Sequence, residues 1–397
     1  MILKKCRVCA SLKLTKVLSL GSQPLANNLA NSKNEKKEKY PLALNICQSC
    51  FNCQLTYVVN PKKLFLNYLY KSSISKSFKN HFDLASKKYI SMFSLSKKKS
   101  VILDVGSNDG IALVPYKNKG FKNLIGIEPS KNLANITKKL QIKTFNSFLN
   151  DKISKALFGK CDLILASNVF AHVNNIKRMT KNILDCLKFN GVLVIEVQYL
   201  VSMLRDGSFD NIYHEHVNYW SVRSLSNFFL KFNANIFRVE KINTHGGSIR
   251  VFIKKNINTT LKKHKSVNQF LNLEKIIKIN DLKIYHKFKK FIKKKKKRTE
   301  KLIRNLQSKN KLIIGFGAPA KATTLINYLN LQKYIKYIVD ENKFKSNKFI
   351  PNTKIEIISK PRNAFVDCVI VFAWNYFNEI KNNNKSLSNN FINIFNI

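Results

Sequence analysis

The stretch that most constrains this 397-residue chain is Val101-Ile102-Leu103-Asp104-Val105-Gly106-Ser107-Asn108-Asp109-Gly110. A short apolar run closed by an acid and glycine-spaced polar residues predicts a buried strand entering a tight turn. Leu124-Ile125-Gly126-Ile127-Glu128 then repeats the design, a second strand with a carboxylate at its C-terminal end. Strand, glycine loop, helix, strand, acid is the layout by which a doubly wound α/β sheet holds a nucleoside: backbone approaches the ligand at the first loop, and the second acid accepts the ribose hydroxyls. The turn is not G-x-G-x-x-G. Asp104, Asn108 and Asp109 crowd it with acid, which repels a pyrophosphate but suits a sulfonium cation and an α-amino group. A βα turn of some other α/β domain is the competing reading.

A chain this long exceeds one core, so two or three domains are expected. An apolar content of 45% with 11% aromatic residues is ordinary for a folded chain. No run of eighteen apolar residues appears, and the opening Met1 to Cys6 is charged too soon for a signal peptide. A cytoplasmic location with no membrane partner is therefore expected. The formal charge of +49 admits a nucleic-acid or anionic-membrane partner. It equally fits AT-rich coding, because Lys and Asn are scattered everywhere and only Lys293 to Lys297 forms a dense block. Specific nucleic-acid readers lean on Arg forks, which are few here, so no specific nucleic-acid partner is expected.

Two C-x-x-C pairs, Cys6/Cys9 and Cys47/Cys50, fit a structural tetrahedral Zn²⁺ site closing a small lobe. Disulfides compete, although nothing suggests export. Cys53 follows closely but four ligands saturate such a site. Cys161, Cys186 and Cys368 read as buried small hydrophobes.

Further along, Cys161 to Asn168 is an apolar strand ending in Asn, followed by His172. Strand ends at the top of a parallel sheet face the ligand crevice, so Asn168 and His172 are site candidates; His172 also reads as a hydrogen-bonded helix residue. Asp210 to Trp220 concentrates Tyr213, His214, Glu215 and His216, donors and bases that titrate near neutrality. A metal site and a structural loop are its rivals, but the spacing is wrong for the helical H-E-x-x-H pair. Tyr68 and Tyr70, with the hydroxyls after them, read as pocket lining or core.

Several motifs in order carry a family resemblance. The Asp104–Gly110 turn is similar to the first motif of class I methyltransferases, which bind S-adenosylmethionine. The Cys pairs, with Leu18 to Asn27 between them and Gln54-Leu55 after, resemble the zinc-binding lobe of bacterial sugar C-methyltransferases. Tyr213-His214-Glu215-His216 and Thr244-His245-Gly246-Gly247-Ser248 resemble the signatures of the nucleotide-sugar 3-C-methyltransferases. Phe51, Cys53, Ser167 and Phe170 depart from the usual pattern without touching an assigned role.

The resemblance implies methylation of the carbon next to the ketone of a nucleotide-linked 4-keto-6-deoxy sugar, with His216 as general base. It implies that Glu215 and Tyr213 orient or polarise the substrate, and that His172 and Tyr70 donate hydrogen bonds to its keto or enolate oxygen. Asp104, Gly106, Asn108, Asp109, Glu128 and Asn168 would hold the cofactor, His245, Ser248 and Lys321 the substrate, and Cys6, Cys9, Cys47 and Cys50 the structural zinc.

Lys311 to Lys321 opens a second strand–glycine loop–helix unit, and a Lys at the start of a helix, beside its amides, suits an anion. The resemblance makes this a Rossmann-like domain that helps hold the nucleotide-sugar. The expected organisation is a zinc-binding lobe over 1–62, a methyltransferase domain over 63–258, a helical linker over 259–308 and a smaller Rossmann-like domain over 309–397, acting as a monomer. The Lys block should be a solvated helix face. Three other readings stand beside this one: a basic zinc-containing nucleic-acid-binding protein, an RNA or small-molecule N- or O-methyltransferase, and a non-catalytic homologue.

Overall fold

Three sheets organise the chain in the computed structural model, which describes residues 2–66 and 71–395 except for the side chain of His245. Strands β1 (Leu14–Pro24), β2 (Lys39–Cys47) and β3 (Cys53–Leu55) form an antiparallel N-terminal sheet. Its fourth strand, Asn218–Tyr219, comes from the middle of the chain and pairs with β3.

The middle domain begins with helix Lys76–Met92, capped by the Ser75 side chain, which accepts from Phe78 N. The helix buries Phe78, Phe82, Ala85 and Tyr89 as one stripe. Strands β4 (Val101–Val105), β5 (Asn123–Ile127), β6 (Lys143–Phe145), β7 (Cys161–Ser167) and β8 (Leu187–Gln198) are parallel. The short Asn218–Tyr219 strand is β9. Strands β10 (Ala234–Ile242) and β11 (Ser248–Lys255) extend the sheet antiparallel at one edge. The order β10-β11-β8-β7-β4-β5-β6 reverses between β4 and β7, which places a crevice at their carboxyl ends. Strands buried on both faces explain the near-continuous apolar runs of β4 and β7. Glu196 on β8 is buried but held below the usual carboxylate range, because His81 and Arg250 bond it and outweigh its desolvation.

The C-terminal sheet contains β12 (Ile313–Phe316), β13 (Tyr337–Val339), β14 (Lys348–Phe349), β15 (Glu356–Ile358), β16 (Cys368–Val371) and β17 (Phe391–Asn393). Its order is β14-β15-β13-β12-β16-β17, parallel apart from β14, so it is a second doubly wound unit. The α/β architecture expected from the sequence, with a cysteine-rich lobe and two doubly wound sheets, is what the chain adopts.

The helical stretch 259–308 divides in two. Helix Ser266–Ile277 belongs to the middle domain, where buried Glu274 accepts from Tyr199 Oη, Val222 N and Arg223 N. Helix Leu282–Ser308 buries Tyr285, Phe288, Ile292, Lys295, Thr299 and Ile303 at helical spacing. Lys293, Lys294 and Lys297 are exposed, as expected of a solvated face. Lys295 departs from that expectation: it turns inward, donates to Phe395 O at 2.8 Å, and burial lowers its ammonium to about 8. No helix among the described residues is long and apolar enough to cross a membrane.

Cys6, Cys9, Cys47 and Cys50 converge, with all four sulfurs within 4.8 Å of one another. The Cys6–Cys50 and Cys9–Cys47 pairs are 3.5 Å apart, far beyond a disulfide bond of about 2.05 Å. They match the edge of a tetrahedron built on Zn–S bonds of about 2.3 Å. The four thiols therefore fit zinc. Cys53 lies apart in β3, and burial raises its thiol.

Segment Asp210–Asn218 is gripped by the N-terminal lobe. Arg7, between two of the cysteines, donates to Val217 O at 2.8 Å, and His214 Nε2 donates to Tyr40 O at 3.2 Å. His214 is buried, and desolvation lowers it from 6.5 to about 4. Unfolding therefore takes up a proton between those values, so this contribution to stability is complete above pH 6.5 and is lost as pH falls towards 4.

Two outcomes follow. Elemental analysis of purified protein should find about one zinc ion per chain, lost in Cys9→Ser together with several kcal/mol of stability; a zinc-free chain with native melting would refute this. In melts between pH 7.5 and 4.5, the stability of wild type relative to His214→Gln should fall with pH through that window. Parallel curves would show that His214 titrates normally.

Candidate active site

A cavity of about 650 Å³ opens at the carboxyl ends of the parallel strands, where the strand order reverses. One end is built by the β4 and β5 loops. Gly106 has φ +75°, and a Cβ there would lie 2.6 Å from Val169 Cγ2, so the turn tolerates no side chain. Asn108 also takes a left-handed φ of +50°. Its N–H donates to Glu128 Oε2 at 2.9 Å, while Ser130 N–H donates to Oε1 at 2.8 Å.

Both Glu128 oxygens are thus fixed by backbone, and their remaining lone pairs are available to the cavity that Glu128 lines. Burial raises the Glu128 carboxyl, and burial followed by repulsion from Glu128 and Glu196 raises Asp104 well above the carboxylate range. A cation bound between Asp104 and Glu128 would relieve both. Asn168, with φ +59°, lines the same end. Asp109 does not: it is buried beneath the loop, where its Oδ2 accepts from Ser73 N at 3.1 Å.

The other end carries an imidazole–phenol pair. His216 Nδ1 lies 2.8 Å from Asn211 O, and Nε2 lies 2.7 Å from Tyr213 Oη. A carbonyl only accepts, so Nδ1 carries the proton and the Nε2 lone pair accepts from the phenol. His172 packs edge-on at 4.9 Å between ring centroids, and its Nδ1 donates to Glu215 O at 2.9 Å. Desolvation lowers His172 to about 4, so it is a neutral group at physiological pH. Tyr213, His216 and His172 line the cavity together with Asp104, Gly106, Asn108, Glu128 and Asn168.

The remaining expectations fall elsewhere. Glu215 is buried outside the cavity lining, with Oε1 accepting from Asn27 Nδ2 of the N-terminal lobe at 2.6 Å. Ser248 is buried, away from the lining, and donates to Thr244 O. Lys321 lies 3.7 Å from the buried Asp210 carboxylate and 4.1 Å from the Trp374 ring centre, outside that lining too. Tyr70 and the His245 side chain lie outside the described residues.

The second glycine loop is not shaped for a phosphate. A Cβ on Gly315 would lie 2.7 Å from Ile338, and one on Gly317 2.6 Å from Ala373, so both glycines serve packing. Ala318 N–H, at the start of the helix, donates at 2.7 Å to Asp340, which also pairs with Lys345. The loop thus carries its own anion, contrary to the expectation from its sequence.

Two participants escaped sequence reading. Gln198, the last residue of β8, lines the cavity and donates to Asn211 Oδ1 at 3.1 Å; the strand-end rule applied to Asn168 would have found it. The Asn211 carbonyl carries no sequence signal.

Comparison with known proteins follows the same division of the chain. A zinc-binding-domain model matches residues 6–65, a methyltransferase-domain model 79–239, and a C-methyltransferase C-terminal-domain model 243–394. C-methyltransferase NovU of Streptomyces niveus is 27% identical over 394 residues, covering 97% of this chain and 93% of that protein. Among solved structures, an S-adenosylmethionine-dependent methyltransferase from Clostridium acetobutylicum aligns with 45% of this chain and 92% of its own, at 14% identity and a TM-score of 0.37. Magnesium protoporphyrin IX methyltransferase from Synechocystis aligns with 45% and 79%, at 12% identity and a TM-score of 0.35. Models of a zinc-binding domain, a methyltransferase domain and a C-methyltransferase C-terminal domain are thus matched in order along nearly the whole chain, which is similar over that length to a C-methyltransferase.

Proposed function

We propose that this protein transfers a methyl group from S-adenosylmethionine to C3, the carbon next to the ketone, of a nucleotide-linked 4-keto-6-deoxy sugar. The observation that carries the reading is a single cavity joining a backbone-fixed ribose-type carboxylate, Glu128, to a hydrogen-bonded phenol–imidazole pair, Tyr213 and His216. S-adenosylmethionine supplies an electrophilic methyl carbon on a sulfonium centre. Glu128 suits the ribose hydroxyls, and the acidity of Asp104 and Glu128 suits the positive charge.

Carbon is a nucleophile here only after losing a proton, and His216, which lines the cavity, suits the role of its base. Its Asn211 bond fixes Nδ1–H and leaves Nε2 as the basic atom. The Tyr213 hydroxyl occupies Nε2 in the resting site, so proton removal requires that hydroxyl to turn away. On turning it can donate to the oxygen that becomes the enolate. The C3–H pair then forms the enolate, the proton passes to Nε2, and the carbanion carbon is left to accept the methyl group. Neutral His172 lines the same cavity but spends its one N–H on Glu215 O, so it offers that oxygen no donor, contrary to the expectation from the sequence, and the Tyr213 hydroxyl is left as the donor.

The test is mass spectrometry of a nucleotide-linked 4-keto-6-deoxy sugar incubated with the protein in D₂O, with and without S-adenosylmethionine. Deuterium should enter next to the ketone, and a methyl gain should require the cofactor. His216→Asn should lose methyl transfer by about 10²-fold or more while keeping cofactor affinity. Glu128→Gln should weaken cofactor binding about tenfold, the loss of charge-assisted hydrogen bonds. Neither exchange nor methylation across several nucleotide sugars would overturn the assignment.

A further inference from the structure

Asp210 has no exposed surface and does not line the cavity, yet it is an acid in the interior. Such a group demands partners, and the C-terminal domain supplies them at one of its two oxygens, Oδ2. Trp374 Nε1–H, just past β16, donates to Asp210 Oδ2 at 2.6 Å, and Lys321 Nζ approaches the same oxygen at 3.7 Å. The Lys321 ammonium also sits 4.1 Å from the Trp374 ring centre and 3.3 Å from Asn375 Oδ1.

The indole is wedged in place. Its other side meets Phe395 at 4.8 Å between ring centroids, and a Cβ on Gly246 would come within 2.6 Å of its Cη2. Asp210 and Asn211 lie in one short turn, Phe209–Asn211. The Asn211 carbonyl is the acceptor that fixes His216, and the Asn211 side chain holds Gln198 of the cavity wall.

We propose that Trp374 and Lys321 are positioning residues: acting through Asp210, they hold the Asn211 carbonyl where it sets the tautomer of His216. In its reaction this rests on the C-methyltransferase reading above; in its geometry it does not. The C-terminal domain would then serve catalysis without touching the reacting atoms.

The experiment uses full-length zinc-loaded protein with ¹⁵N-labelled histidine. The His216 ring signals are assigned by their disappearance in His216→Asn. Wild type should show the single Nδ1–H tautomer. Trp374→Phe keeps an aromatic ring and removes one N–H, and Lys321→Met removes the counter-charge and leaves the indole. Both should show His216 as a mixture of tautomers while the chain still melts cooperatively, and kcat should fall roughly tenfold to a hundredfold with KM for S-adenosylmethionine unchanged.

A merely structural contact would leave the tautomer alone. His216 unchanged in both variants, with wild-type kcat, overturns the proposal. If wild type itself methylates no nucleotide sugar, the functional reading fails and the tautomer comparison still decides the positioning role.

Discussion

The imidazole–phenol end of the cavity depends on how one irregular segment, Asp210 to Val217, is held. A loop with this density of polar groups has no regular ladder to satisfy its backbone, and buried polar groups left unpaired are costly. The solution is to recruit partners from all three domains. Arg7 takes Val217 O, Tyr40 O takes His214, and Asn27 takes Glu215 from the N-terminal side. Trp374 takes Asp210 from the C-terminal side. The middle domain contributes His172, bonded to Glu215 O. Within the Tyr-His-Glu-His run the residues divide their work: Tyr213 and His216 face the cavity, while His214 and Glu215 face the N-terminal lobe. Breaking a buried ion pair such as Lys321–Asp210 costs about 3–5 kcal/mol by stranding its partner, so the clamp cannot be loosened at one point cheaply.

The zinc lobe acquires a role through the same contacts. Its metal ligands stand away from the chemistry, but Arg7 sits between Cys6 and Cys9 and reaches Leu55 O, Val217 O and Asn174. Strand β9 continues the N-terminal sheet directly after the loop. A lobe stapled by four thiolates is a rigid place from which to hold a segment that lines the cavity.

The two doubly wound sheets show one architecture put to two uses. In each, the acid after the second strand accepts an N–H from the glycine loop: Asn108 to Glu128, and Ala318 to Asp340. In the middle domain that carboxylate lines an open cavity. In the C-terminal domain Lys345 pairs with it, and Ile338, Phe372 and Ala373 press on the glycines. The strand–glycine–helix–strand–acid pattern therefore reports a fold in both cases, and a ligand crevice in one.

Sequence alone determined the elements whose causes are local. Apolar runs ending in acid and glycine specified β4, β5 and their turn, and two C-x-x-C pairs specified a four-sulfur cluster. The order of motifs marked three domains. Tertiary structure decided what local pattern cannot encode: which way each polar side chain turns once the loop is packed. Asp109, Glu215 and Lys321 have the right chemistry for a site, yet each meets a stronger claim from Ser73, Asn27 or Asp210, because a buried polar group must find its partner wherever the packing provides one. The Asn211 carbonyl, common to every residue type, became the group that sets the His216 tautomer only because the fold brought the two within 2.8 Å.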